Sequence, residues 1–130
     1  MYLLLFAFVL NAQEILDAPQ AKLITKFSFT QLSGGIIIIN ASIDDKKDTL
    51  NFVLDTGSSG ISLDSSTVAH LQFPVVESEK TIRGIAGIKK VPFTYGHRLN
   101  FEGLTTDTFS FHIVDYDLLS SVYGVRIDGI

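Results

Sequence analysis

The run Asp55-Thr56-Gly57-Ser58-Ser59 places a carboxylate, three hydroxyls and a glycine on five successive positions. Phe52-Val53-Leu54 before it is wholly apolar, so a buried strand would deliver the carboxylate to the point where strand becomes loop. A carboxylate held there can activate a water molecule as a general base. The same residues also suit an ordinary turn, because Asp bonds its own backbone and Gly accepts a positive φ. A second glycine tip, Gly84-Ile85-Ala86-Gly87, follows further along the chain. An apolar strand, a carboxylate loop and a later glycine tip together are more specific than Asp-x-Gly by itself.

Other chemistries fail on residue type or spacing. Thr56-Gly57-Ser58-Ser59-Gly60 lacks the first glycine of a G-x-S-x-G nucleophile elbow. His70, His97 and His112 are scattered, without H-x-x-x-H or H-E-x-x-H spacing. Each is read as a surface or strand-edge histidine, and no metal or cofactor is expected. With no cysteine, the chain cannot form disulfides, thiolate metal sites or a cysteine nucleophile. A formal net charge of -4 argues against binding nucleic acid by phosphate neutralisation. Asp128 is a second candidate carboxylate, but it lacks a Thr/Ser-Gly continuation and reads as a structural residue of an Asp-Gly turn. Lys89-Lys90 reads as a solvated arm that could bias binding towards acidic side chains.

The elements that must position these residues are mostly strands. Lys22–Gln31 alternates Phe27 and Phe29 with polar residues, as a half-buried strand does. Ser33-Gly34-Gly35 is a turn, and Ile36–Ile43 opens with four isoleucines, which suit a strand covered on both faces. A charged turn at Asp44–Asp48 leads to a strand over Thr49–Leu54. After the loop, Ile61–Leu63 resumes a strand, and Asp64 can cap a short helix that runs to Leu71. Lys80–Tyr95 reads as a hairpin, followed by strands at Leu99–Phe101 and Thr106–Val114. A loop begins at Asp115, and Tyr123–Ile130 closes the chain. Phe27, Phe29, Phe101, Phe109 and Phe111 are assigned to the core. The fold class is all-β: a small closed β-barrel with one short helix.

At 130 residues, 46% of them apolar, the chain is expected to form one domain and not a disordered segment. Eleven of the first twelve residues are apolar, too few to span a bilayer as a helix, which takes ~20. The run suits a secretory signal cut after Ala12, although no Lys or Arg precedes it. A buried N-terminal strand or helix is the alternative. The expected organisation is a signal peptide over 1–12, a polar lead-in over 13–21 and one domain over 22–130. The implied location is outside the cytoplasm, in the periplasm, cell envelope or medium, with no stable membrane span once the signal is removed.

Apolar-apolar-Asp-Thr-Gly-Ser resembles the active-site motif of the aspartic proteases. A single copy in a short chain is similar to the retropepsin-like branch, in which two subunits build one site. The resemblance extends over most of Phe27–Ile130: Thr81–Phe93 stands where that family has its flap. Val125-Arg126-Ile127-Asp128-Gly129-Ile130 looks like the start of its second apolar turn. It implies a retropepsin-like barrel that hydrolyses polypeptides without metal or cofactor. Asp55 would supply half of a dyad in which two like charges about 3 Å apart share one proton. Thr56 would interlock with its counterpart in a homodimer, and the Gly57 amide would face the dyad. Ser58 would donate to the outer carboxylate oxygen, and Gly84, Ile85, Ala86 and Gly87 would close over the bound peptide. The family's final helix and closing strand would follow Ile130. The domain is therefore expected to be incomplete at its C-terminus, and this stretch inactive by itself.

Two other readings stand at this level. The domain could be a non-catalytic, peptide-binding module of the same fold. Apolar-Asp-x-Gly followed by a strand also resembles the phosphate-binding hairpin of the actin and sugar-kinase ATPases, although those folds need several hundred residues.

Overall fold

The computed structural model describes residues 20–58, 60–84 and 87–130. The expected signal, most of the lead-in, Ser59, Ile85 and Ala86 lie outside the described residues. Strands dominate: β1 (Phe29–Gln31), β2 (Ile37–Ile43), β3 (Leu50–Val53), β4 (Ile61–Asp64), β5 (Thr81–Gly84) and β6 (Gly87–Lys90) come first. They are followed by β7 (Phe93–His97), β8 (Leu99–Phe101), β9 (Leu104–Thr105) and β10 (Phe109–Val114). Two helices, α1 (Ser65–Leu71) and α2 (Asp117–Tyr123), and a 3-10 turn at Ser33–Gly35 complete the order.

β2 organises one sheet. It pairs with β3 along one edge, and with β1 and then β8 along the other; β9 extends beyond β8. Ile38 and Ile39, 4% and 7% exposed, point to opposite faces, so both faces are covered as the isoleucine run implied. A second sheet has the order β4-β10-β7, with β4 and β10 parallel. The hairpin β5–β6 stands apart from both, with Gly84 opposite Gly87 at its tip. The sequence-expected hairpin ran to Tyr95. Its arms in fact end at Lys90, and Phe93–His97 leaves it to pair with β10.

The chain's last residues join the two sheets. Asp128 N–H donates to Asn51 O (2.9 Å) and Val53 N–H to Gly129 O (3.0 Å), which pairs the tail with β3. On its other side, Ser62 N–H donates to Ile130 O (2.9 Å) and Asp64 N–H to Asp128 O (2.8 Å), which pairs it with β4. Gly129 thus bridges parallel to Phe52 and antiparallel to Leu63. Ile39, Phe52, Leu63, Leu99 and Phe111 pack together with Val68 and Leu71 of α1 beneath this junction.

α1 starts where the sequence indicated. Asp64 accepts from Ser66 N–H (2.9 Å) and Thr67 N–H (3.2 Å), satisfying two of the orphan donors of the first turn. Other expectations need correction. A second helix, α2, replaces the loop expected after Asp115, so the fold has two short helices, not one. Its stop at Gly124, with φ of 66°, is a glycine signal readable in Tyr123-Gly124. Of the five phenylalanines assigned to the core, Phe111 is fully buried, whereas Phe27 and Phe29 are 40% and 61% exposed. Phe29 lies on β1, an edge strand, and Phe27 precedes it, so neither is enclosed.

His97, read as a surface or strand-edge residue, is buried. It lies between the Asp44 carboxylate (2.7 Å) and the Thr94 hydroxyl (2.7 Å) and packs 4.1 Å from the Phe73 ring. Asp44, at a positive φ of 52°, also accepts from Arg98 N–H (2.8 Å), fastening the β2–β3 turn to the β7–β8 corner. Burial pushes the Asp44 carboxyl up, but the hydrogen bonds from His97 and Arg98 outweigh it and hold the group below the ordinary 3.8. Asp64 behaves likewise: burial raises it, and the donors on Ser66, Tyr116 and Thr67 lower it further than burial raises it.

Two predictions follow from these contacts. A methyl group at Gly129 would lie 2.4 Å from the Phe52 ring and 2.5 Å from Ser62 O, inside contact distance of both. Gly129→Ala should therefore cost roughly 1–3 kcal/mol or more through overpacking. That lowers Tm by at least about 4 °C; an unchanged melting curve would contradict the wedge. Because the native values of Asp44 and Asp64 lie below the unfolded one, the unfolded state binds more protons as the medium is acidified. Their stabilisation is complete above 3.8 and is lost as pH falls through the lower native values. Urea unfolding of Asp64→Asn should show lower stability at neutral pH and a shallower acid decline than wild type. Parallel curves would contradict the role given to Asp64.

Candidate active site

Asp55 stands two residues beyond β3, and the backbone before it is held from both sides. Val53 N–H donates to Gly129 O (3.0 Å) and Leu54 N–H to Ile37 O (2.9 Å). The strand is thereby locked between β2 and the tail, and Asp55 is the first residue freed from the ladder. Gly57 N–H turns back to donate to Asp55 Oδ1 (2.8 Å), so one carboxylate oxygen is oriented by the loop's own backbone. A Cβ at Gly57 would lie 3.2 Å from that oxygen, close enough to press on it. The Asp55 side chain remains exposed.

Ser58 departs from expectation. Its hydroxyl donates to Gly60 O (2.8 Å) and not to the carboxylate, because the tight turn carries it back onto its own loop. Thr56 is exposed at the turn. Of the glycine tip, Gly84 and Gly87 face each other across the hairpin, and Gly87 takes a φ of 107° that glycine adopts without strain. Ile85 and Ala86 lie outside the described residues.

Two clefts meet at Asp55. A cavity of about 520 Å³ opens on one side, walled by Phe52, Ile61, Phe101, Phe109 and Ile130 together with Ser58. A cavity of about 350 Å³ opens on the other, walled by Ile36, Ile37, Leu119, Tyr123 and again Ile130. Both walls are largely apolar, so an exposed acid sits between surfaces suited to side chains of a polypeptide. Leu119 and Tyr123 belong to α2 and were not singled out in the sequence, where α2 itself was read as loop.

Asp128 occupies a different environment. It is 3% exposed, and its carboxylate accepts from Asn51 N–H (2.9 Å), Thr67 Oγ1–H (2.7 Å) and Arg126 Nε–H (2.7 Å). With its oxygens engaged by three donors, it anchors the tail to β3 and α1; the role is structural, but the partners are Asn51, Thr67 and the Arg126 side chain and not the backbone of its own Asp-Gly turn. The carboxylates of Asp64, Asp115 and Asp117 lie within 4.8 Å of one another. The first two already serve the backbone, Asp64 accepting from Tyr116 N–H and Asp115 from Asp117 N–H, so the cluster's geometry is explained by helix starts.

Comparison with known proteins agrees with the loop. The sequence profile described as aspartyl protease matches residues 39–130, from β2 to the end of the tail. The chain belongs to the aspartyl protease family. The fold class expected from the sequence, all-β of the retropepsin-like type, stands with it. This membership sets aside the phosphate-binding hairpin. Among solved structures, the EIAV protease complexed with the inhibitor HBY-793 is similar, at 19% identity and a TM-score of 0.47. The match covers 69% of this chain and 89% of that one. No curated protein sequence matches significantly.

Replacing Asp128 by alanine would strand Asn51 N–H, Thr67 and Arg126. The expected loss is about 3 kcal/mol, the low end for breaking a buried ion pair. The low end applies because Arg126 is 55% exposed and can return to water. Chemical denaturation measures it, and an unchanged midpoint would mean that Asp128 does not anchor the tail.

Proposed function

We propose that this protein is an aspartic endopeptidase, in which Asp55 supplies half of a catalytic dyad and a second copy supplies the other half. The observation that carries the reading is the exposed Asp55 carboxylate, oriented by Gly57 N–H and set between two apolar clefts. Two such carboxylates brought together cannot both ionise, so one is the base and the other the acid. The ionised group takes a proton from water as its oxygen attacks the scissile carbonyl carbon, and the protonated group donates to the carbonyl oxygen. Collapse of the tetrahedral intermediate returns a proton to the leaving amine. The dyad titrates as a unit, so its two apparent pKa values belong to the pair.

One chain offers one Asp-Thr-Gly loop, so the second carboxylate comes across a two-fold axis in a homodimer. Thr56, which is exposed at the turn, meets its counterpart there. The β5–β6 hairpin acts as a flap over the bound polypeptide, its paired glycines allowing close backbone approach. Residues 1–12 direct export, so the enzyme works outside the cytoplasm. Among the described residues no helix is long and apolar enough to cross a membrane.

The test is peptide cleavage by the full-length protein at several pH values, with Asp55→Asn beside it. Asn keeps the loop's acceptor for Gly57 N–H and removes the titrating group. Cleavage should fall by at least about a hundredfold, the low end of general acid–base contributions of ~10²–10⁴. Equal activity in the two proteins would remove Asp55 from the reaction. A folded, dimeric wild type that cleaves nothing would favour the peptide-binding module.

A further inference from the structure

Resting on the assignment of β5–β6 as a flap over the bound polypeptide, we infer that the flap reads charge. Lys89 pairs with an Asp or Glu side chain of the substrate that lies two or more residues from the scissile bond.

Cations are concentrated on this hairpin. Four of the chain's ten Lys and Arg residues, Lys80, Arg83, Lys89 and Lys90, fall within residues 80–90, which contain no Asp or Glu. The chain as a whole carries a formal charge of -4, so the hairpin is a basic arm on an acidic molecule. Such an arm attracts acidic side chains and repels basic ones.

The three lysines are not equivalent. Lys80 sits at the base of the hairpin, its Nζ 5.2 Å from the centre of the Phe93 ring, in a cation–π contact. Lys90 is paired with Glu79. Lys89 makes no ion pair among the described residues. It stands opposite Ile82 in the hairpin register, and residues directly opposite each other project to the same face. Ile82 is half-buried, whereas Thr81, Ile88 and Lys90 are exposed. The face turned towards the body of the protein is therefore the one that carries Ile82 and Lys89.

The distance from the tip says which part of a substrate Lys89 meets. The base is fixed, because Val91 is 2% exposed and its N–H donates to Lys80 O (3.3 Å). From there the arms run to the Gly84–Gly87 tip. Lys89 stands behind Gly87 by about 7 Å along the strand, and an extended polypeptide rises by about 3.3 Å per residue. With the tip over the cut bond, Lys89 reaches a side chain on its flank. An acid is welcome there, whereas one beside the cut bond would be repelled by the ionised member of the dyad.

The experiment measures kcat and KM of the full-length protein on peptides that share the residues at the cut bond. They carry Glu, Gln or Lys at one site, two, three or four residues away. At the site Lys89 reaches, wild type should favour Glu over Gln by about two- to fivefold, the range of an exposed ion pair, with the difference in KM. The preference should fade in high salt, and as pH falls through the ordinary glutamate value of about 4.3. Lys89→Glu should turn the preference towards the Lys peptide, and Lys89→Arg should keep it for Glu. Lys47→Ala, in the exposed turn between β2 and β3, should leave it as in wild type. Glu and Gln peptides cut equally by active wild type at every site, or a preference for Glu that survives Lys89→Glu, overturn the role of Lys89 and leave Asp55 untouched. Cleavage unchanged in Asp55→Asn, or absent from folded wild type, overturns the catalytic reading and this inference with it.

Discussion

The Phe52 ring and the Ser62 carbonyl approach Gly129 so closely that no side chain fits between them. At this contact Asp128–Ile130 enters between β3 and β4 and completes hydrogen bonding on both. Without it, the sheet built around β2 and the sheet built around β10 would each end in an unpaired edge, and their apolar faces would have no fixed relation. With it, Phe52 and Leu63 are held over one core, and the buried Asp128 and Thr67, joined by the exposed Arg126, fix the tail's depth.

Everything at Asp55 inherits its position from that junction. The strand that carries it is pinned by Gly129 and Ile37, and the loop after it is closed by the Gly57 amide. Both clefts that flank it share Ile130, the tail's last residue. A dyad needs two carboxylates held at a separation where they share a proton, and a rigid strand end can present one half of it. The same tail, through Ser120 and Ile127, reaches α2 and so sets the wall of the smaller cleft.

Features written in adjacent residues were legible in the sequence. The Asp55 loop, the Asp64 cap, the isoleucine strand and the glycine hairpin each rest on local chemistry: a small-residue turn after an apolar run, an acceptor before a helix, an unbroken β-branched stretch. What was missed depended on residues far apart in the chain. His97 is buried because Asp44, from another turn, receives it, and no spacing near His97 announces that partner. α2 is too short for a clear period, although Gly124 marks its end. Phe27 and Phe29 have the alternation of a half-buried strand, but alternation cannot tell an edge strand from a covered one. The sequence showed Ser58 next to a carboxylate; the turn geometry sends its hydroxyl to Gly60 instead.

A mixing measurement tests most directly the proposal that two copies share one dyad. Asp55→Asn protein is titrated into a fixed amount of wild type, and peptide cleavage is followed. If each site is built from two copies, mixed dimers carry one carboxylate and are inactive, so an excess of the variant should suppress cleavage far below that of wild type by itself. Cleavage that stays constant as the variant is added, with mixed dimers demonstrably formed, would mean that Asp55 does not act as half of a pair.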